Sequence, residues 1–524
     1  MTQFEPTVVI VGAGVGGLSA ALSLLAVGAR VIVVEAATGP GGKMRQIDSK
    51  AGPIDAGPTV MTMPAVFERL FADLGAQLSD YVTLEPETVL ARHYWPDGAS
   101  LDLSPDPEVS AQNIAERFGP KDADAFRRFR ARARRLFDGF QGPMLENGEP
   151  SQLAAALAVA RNPRLALDMA PWDTLTQTLA RTFKDTRLRQ LFGRYATYVG
   201  GNPNLAPALL SLIWRSEEAG VYRVKGGMHA LAKAMATLAT RYGADIRYGT
   251  HVAEVADYYG RATGVHFPDG SFLPASAVVY NGDPRALAKG RMGTAALNAV
   301  DAAPLDRRSL SASVLTFAAR VTGPPLAHHT VFFTQNPQTE FGPLADGEPP
   351  AAASLYICAQ DRGSDKPPQP GALERFEIIE NAPPFLGEPA EEPATCLTRI
   401  LTTLKTQNLR FSPAPDVTAL ATPQTFAGMF PGSQGSLYGQ SPHGLMAAFQ
   451  RPTARTKMPG LYLAGGGAHP GAGVPMAALS GRHAGAAIAK DLGLTSPSRR
   501  TGMRGGTSTG FPTAGLTPSR SSPS

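Results

Sequence analysis

Three glycines near the start of the chain, Gly12, Gly14 and Gly17, are spaced as G-x-G-x-x-G, and an acid, Glu35, follows downstream. That pattern suits a dinucleotide pyrophosphate. Gly12 permits a tight turn, Gly14 lets phosphates approach the backbone, and Gly17 lets a helix pack closely on a strand, with Ala13 and Gly16 completing the loop. The positive end of the helix then faces phosphate charge, and Glu35 accepts from the adenosine ribose hydroxyls. The elements that must position these residues occur in the right order. TVVIV (7–11) is a β-branched run of the kind found in a strand buried on both faces; LSAALSLLAVG (18–28) has helical periodicity; Arg30 to Val34 is a second strand ending at Glu35. NAD and FAD share such a unit, so this unit alone leaves the dinucleotide open.

Further loops decide. GGKMR (41–45) carries paired glycines and positive charge, and DAGPTVMTMP (55–64) carries a Gly-Pro turn. They resemble the flavin-binding loops of the amine oxidase and carotenoid desaturase superfamily, where the first usually reads GGR and the second DxGPTVIT. The resemblance implies flavin contacts at Gly42, Lys43, Met44, Pro58, Thr59 and Val60. Lys43 replaces the usual arginine, keeping the charge but losing the bidentate fork. LYLAGGGAHPGAGVPMAALSGRHAGAAIA (461–489) reads as a strand, a glycine loop and an Ala-rich helix. It looks like the C-terminal flavin motif of the phytoene-desaturase family. This implies contacts from Gly465, Gly466, Gly467 and Ala468 to ribityl and phosphate, and places Gly473, Val474 and Pro475 beside the flavin pyrimidine ring. GADIRYGTHVAEV (243–255) resembles the segment whose valine, here Val252, gives adenine backbone contacts. Before it the pattern predicts a helix over 225–239, and after it short strands with turns at PDG and NGDP.

The resemblance covers Thr7 to Met63, Tyr222 to Pro284 and Gly435 to Ala489. It implies bound FAD and an α/β fold: a Rossmann-type, glutathione-reductase-like FAD domain of the amine-oxidase superfamily with an α+β substrate domain. The expected division is 1–70, 221–284 and 435–492 for the FAD domain, with 71–220 and 285–434 forming a substrate domain that faces a membrane. AFQRPTART and LYGQSPHG, with the motif at 461–489, look most like the 1-hydroxycarotenoid 3,4-desaturase branch. That likeness implies desaturation of an acyclic carotenoid with a 1-hydroxy or 1-methoxy end, in spheroidene or spirilloxanthin biosynthesis in a photosynthetic bacterium; phytoene desaturation is the alternative. A flavin amine or protoporphyrinogen oxidase would need an amine cage or a porphyrin pocket, which an aromatic share of 7% does not favour. A non-enzymatic prenyl-binding escort protein shares the fold, but the intact motif at 461–489 argues against it. No nucleophile elbow, HExxH or Ser/His/Asp signature points to hydrolysis. His469 reads as a neutral turn histidine, so no catalytic base is named and no metal set is expected. The electron acceptor, oxygen or a quinone, stays open.

At 524 residues and 43% hydrophobic composition, two or three domains are expected. The net charge of +5 includes four tail arginines with no acid from Gly493 onward, so the body is nearly neutral and nucleic acid is not an expected partner. Cys358 and Cys396 lack metal or redox spacing. No apolar run is long enough to span a bilayer and no signal peptide is read, which leaves a peripheral contact with the cytoplasmic face of the inner membrane. A helix over 124–140 puts phenylalanines on one face and arginines elsewhere, a solvated surface or a lipid-headgroup contact. Apolar residues in 143–172 and 195–214, including Leu153, Leu157, Trp172, Tyr198 and Trp214, suit a core by default, or a tunnel. The Ser/Thr/Pro/Gly tail from 493 is expected to be disordered.

Overall fold

Five short strands from three distant parts of the chain line up in one parallel sheet, in the order Leu461–Leu463, Ala277–Tyr280, Thr7–Val11, Arg30–Val34, Asp245–Arg247. The structure is a computed structural model, and it describes residues 6–363, 368–369 and 371–494. Side chains alternate across this sheet as the pleat requires. Val8, Ile10, Val31 and Val33 face a helical layer, Val15–Leu25, Met228–Arg241 and Val474–Asp491. Val9, Ile32, Val34 and Val278 face a three-stranded antiparallel layer, Glu254–Tyr258, Arg261–His266 and Phe272–Pro274. Both sides are thereby covered, which explains the unbroken TVVIV run. The predicted helix at 18–28 begins earlier, at Val15, and ends at Leu25; the one at 225–239 runs Met228–Arg241.

A second, mixed sheet carries the rest. Its main path runs Arg410–Ser412, Ser311–Thr322, Glu374–Ala382, Leu355–Ala359, His329–Phe332, Ala91–Tyr94, Ser100–Leu103. One face packs on the helix Pro393–Thr406 through Phe332, Ile357 and Ile378; Val331 and Phe333 turn the other way, into an aromatic layer under the helix Pro120–Phe140.

Two expectations for this half change. Most arginines of Pro120–Phe140 are engaged: Arg127 pairs with Glu108, Arg130 with Glu218, Arg134 with Asp138 and Arg135 with Asp168, while Arg132 donates to the Asp168 carbonyl; Arg128 is exposed, with no pair among the described residues. A lipid-headgroup contact there would have to compete with these pairs, except at Arg128. Core packing also fails for part of 143–172. The helices Gln152–Arg161 and Pro163–Met169 bury only a narrow stripe, Ala155 and Leu165, against Leu136, Phe140 and Met144. Leu153 is 69% exposed, Leu167 81% and Trp172 94%, because no layer among the described residues covers them. Trp214 does lie in the core. The tail expectation lies outside the described residues apart from Gly493 and Leu494.

Candidate cofactor site

The glycine loop leaves the strand Thr7–Val11 with Gly12 at φ +103°, a left-handed conformation that side chains disfavour. Gly14 is the extended N-cap of Val15–Leu25. A methyl group on Gly17 would stand 2.1 Å from the Gly12 carbonyl oxygen, and one on Gly16 would stand 2.5 Å from the Gly465 amide nitrogen. The first loop and the C-terminal glycine loop therefore touch backbone to backbone. Gly42 approaches Gly14, and the Gly41 amide donates to the Ala13 carbonyl at 2.9 Å. Glu35, at the end of its strand, accepts from the Ala13 amide at 2.6 Å and the Ala37 amide at 2.7 Å. Val252 follows close by: the Thr250 amide donates to the Glu35 carbonyl at 2.8 Å, and the Val252 amide finds no acceptor among the described residues.

Asn281 organises the junction. It follows the strand Ala277–Tyr280, its Nδ2 donates to the Gly12 carbonyl at 3.1 Å, and its side chain fills the space between Gly14, Gly16, Gly17 and Gly465. In the sequence alone, NGDP reads only as a turn. The available signal was an amide placed just after an apolar strand; the partners that give it meaning are far away in the chain.

Lys43 lies deep in the protein, Nζ donating to the Leu437 carbonyl at 2.6 Å, and burial pulls its pKa down to about 8. The Met44 side chain is buried in the helical layer. Asp55 opens the second loop but serves a helix: its carboxylate caps Met228–Arg241 by accepting from the Met228 amide. Pro58, Thr59 and Val60 turn toward the second sheet, where Thr59 Oγ1 lies 2.7 Å from Tyr356 Oη. Arg451 binds the Gly466 carbonyl at 2.9 Å, together with the carbonyls of Tyr438 and Gln440. Gly467 packs on Pro284. Gly473, at φ +107°, starts the helix Val474–Asp491 with Pro475 in its first turn.

These residues fit FAD. Both helices, at Gly14 and at Gly473, open without a side-chain cap and without an acid in the first turn, so their amides and dipoles are free for anionic groups. Arg45 Nη2 is buried without a partner. The crevice lies at the carboxyl ends of parallel strands, beside the first strand of the sheet. His469 is held as a turn histidine: Nε2 lies 3.0 Å from the Asn147 carbonyl, and burial lowers its pKa to about 4, keeping it neutral. His328, His329 and Cys358 lie close together, with His328 Nδ1 2.9 Å from the Arg362 carbonyl and His329 Nδ1 2.7 Å from Tyr356 Oη.

The family model for flavin containing amine oxidoreductases matches residues 15–489. Hydroxyneurosporene desaturase of Cereibacter sphaeroides is 51% identical over 94% of this chain and 99% of its own. Phytoene desaturase (lycopene-forming) of Pseudescherichia vulneris is 31% identical over 92% of this chain and 99% of its own. Among solved structures, an oxidoreductase from Methanosarcina mazei superposes with TM-score 0.58 at 17% identity, covering 91% of this chain and 98% of that one, a likeness of fold. Matched in family, in near-full-length identity and in the glycine crevice just described, the chain belongs to the flavin containing amine oxidoreductase family, on its carotenoid desaturase branch, as an FAD-dependent oxidoreductase.

Proposed function

We propose that this enzyme desaturates the C-3,4 bond of an acyclic carotenoid bearing a 1-hydroxy or 1-methoxy end, in spheroidene or spirilloxanthin biosynthesis, with 1–70, 221–284 and 435–492 as the cofactor unit. The observation that carries this reading is the 51% identity to a hydroxyneurosporene desaturase across nearly both whole chains, against 31% to a phytoene desaturase. FAD, when bound, supplies the hydride acceptor for C–H oxidation. The protein's part is to hold and orient. Gly12 to Gly17, Lys43, Asn281 and Gly465 to Gly467 form the cradle. The loop Pro58–Val60 borders an aromatic layer built from Phe126, Phe129, Phe192 and Trp214, which keeps water away from a polyene. No base is assigned.

Anaerobic mixing of the FAD-loaded enzyme in vesicles with 1-hydroxyneurosporene or phytoene tests the reading. Flavin bleaching with a lengthened chromophore from the hydroxylated substrate supports it. Turnover of phytoene alone moves the assignment to the runner-up, and no bleaching with either rejects carotenoid desaturation.

The membrane contact is assigned to the face of Gln152–Arg161 and Pro163–Met169. Leu153, Leu157, Leu167 and Trp172 are exposed beside the exposed Arg161 and Arg164, and the sole acid in 150–172, Asp168, is engaged by Arg135. Apolar side chains with basic neighbours and no free acid suit an anionic lipid interface, here the cytoplasmic face of the inner membrane. No described helix is long and apolar enough to cross a membrane. Each such side chain contributes about 1.5–3 kcal/mol on burial in lipid. Leu167→Glu with Trp172→Ala should therefore lower partitioning into anionic phosphatidylglycerol vesicles at least ~10-fold in sedimentation. Unchanged partitioning would remove this face from the membrane.

A further inference from the structure

Beyond the loop Pro58–Val60, the aromatic layer contains a polar knot. Arg194, Tyr195 and Tyr198 lie in the short helical run Arg194–Val199, and Glu217 in Ile213–Glu218. Tyr195 Oη donates to Glu217 Oε1 and Tyr198 Oη to Glu217 Oε2, each at 2.7 Å. Arg194 Nη1 donates to Tyr198 Oη at 3.1 Å, with its guanidinium 5.1 Å from that ring's centre. Glu217 thus spends both oxygens on the tyrosines. Arg194 keeps Nε and Nη2 buried without a partner.

Two histidines face the same region with unmet atoms. His93 and His329 sit on adjoining strands, His93 opposite Val331, and both Nε2 atoms are buried without partners. Burial, with the nearby Arg194 charge, keeps both imidazoles neutral. His329 Nδ1 lies 2.7 Å from Tyr356 Oη, the same oxygen that meets Thr59 Oγ1 at 2.7 Å. A polar chain therefore leads from the cofactor loop, through Tyr356 and His329, toward Arg194 and Tyr198. Arg194, Tyr198 and Tyr356 each keep part of their surface uncovered.

A hydrocarbon chain offers nothing to these donors, and a buried donor left unmet is costly. A tertiary alcohol offers an acceptor to Arg194 and a proton to a neutral imidazole or a phenol oxygen. In the desaturation assigned above, the carbinol carbon is two bonds from the nearer reacting carbon, so its oxygen must sit close to the cofactor loop. Val60 of that loop packs on the same aromatic cluster as Tyr198 and Tyr356.

We propose that Arg194 and Tyr198 form the pocket for the hydroxyl at the substrate's end and set the preference for hydroxylated over hydrocarbon ends, an inference that rests on the desaturase reading. Neither residue is a catalytic base.

The test compares 1-hydroxyneurosporene with neurosporene, the same chain without the hydroxyl, on the FAD-loaded full chain in vesicles. Two quantities are read: the kcat/KM ratio of the two substrates, and the ratio of their dissociation constants with the flavin reduced beforehand so that no turnover occurs. Arg194→Lys, which keeps a charge beside Glu217, and Tyr198→Phe should each reduce the preference for the hydroxylated substrate about 10- to 100-fold in both ratios. Ratios that stay within about twofold of wild type, with both substrates weakened alike, would make the knot a structural device only and overturn the pocket. If the wild type binds the hydroxylated chain more tightly, dependent on Arg194, yet oxidises neither, the pocket stands and the desaturase reading fails. Binding without any preference overturns the pocket whatever the activity.

Discussion

Gly17→Ala should be purified largely without FAD, with a flavin-to-protein absorbance ratio no more than about a tenth of wild type. The added methyl would lie 2.1 Å from the Gly12 carbonyl oxygen and 2.9 Å from Asn281 Nδ2, so neither a rotamer change nor a small side-chain shift relieves it. The N-terminus of Val15–Leu25 must lift off the strand Thr7–Val11. That helix cannot move alone: Gly481 of Val474–Asp491 approaches the Gly16 carbonyl so closely that a Cβ there would be 2.1 Å away. The displacement therefore passes to both helix ends that line the crevice. Overpacking of this kind costs about 1–3 kcal/mol of stability, and the lost cradle adds to the loss of affinity. Gly342→Ala is the control, since a Cβ there meets nothing within 4 Å in the helix Gln338–Ala345, and it should leave FAD content unchanged. A Gly17→Ala protein with full FAD content would show that the close approach does not shape the site.

Much of the nucleotide unit is legible in sequence because its chemistry is local. A tight turn, a close helix and an acid at a strand end are local features: Gly12 makes the turn, Gly17 the close helix contact, and Glu35 ends its strand with its carboxylate on the Ala13 and Ala37 amides. Asn281 was missed because its meaning lies in Gly12, Gly16 and Gly465, which only the folded sheet brings to it. The ion pairs of the arginines in Pro120–Phe140 are hidden for the same reason: helical periodicity sets which face they occupy, but Glu218 and Asp168 arrive from other helices. Leu153, Leu167 and Trp172 show a different limit. Apolar residues have the same pattern whether a protein layer or a membrane covers them, and exposure becomes visible only when the second layer is found to stop short.

Arg308→Ala should lower the unfolding free energy by about 3–5 kcal/mol, read from urea unfolding followed by tryptophan fluorescence. Arg308 and Asp283 meet at 2.5 Å with side chains only 2% and 6% exposed. Arg308 also donates to the carbonyls of Ser433 and Leu305, at 3.1 and 3.0 Å, so one truncation strands a carboxylate and two backbone acceptors. Asp283 in addition accepts from the Arg285 amide at 2.9 Å, which caps the helix Pro284–Ala288 beside Gly467. The double variant Arg308→Met, Asp283→Asn keeps an acceptor for that cap and removes the unpaired charge, and should recover more than half of the loss. Lys43 belongs to the same charge group: burial pulls its pKa down to about 8, Arg308 pushes it lower and Asp283 holds it up, so losing Arg308 moves the Lys43 ammonium upward and toward pairing with Asp283. A stability deficit that the double variant does not relieve would mean that Arg308 acts through packing and its carbonyl contacts rather than through its charge.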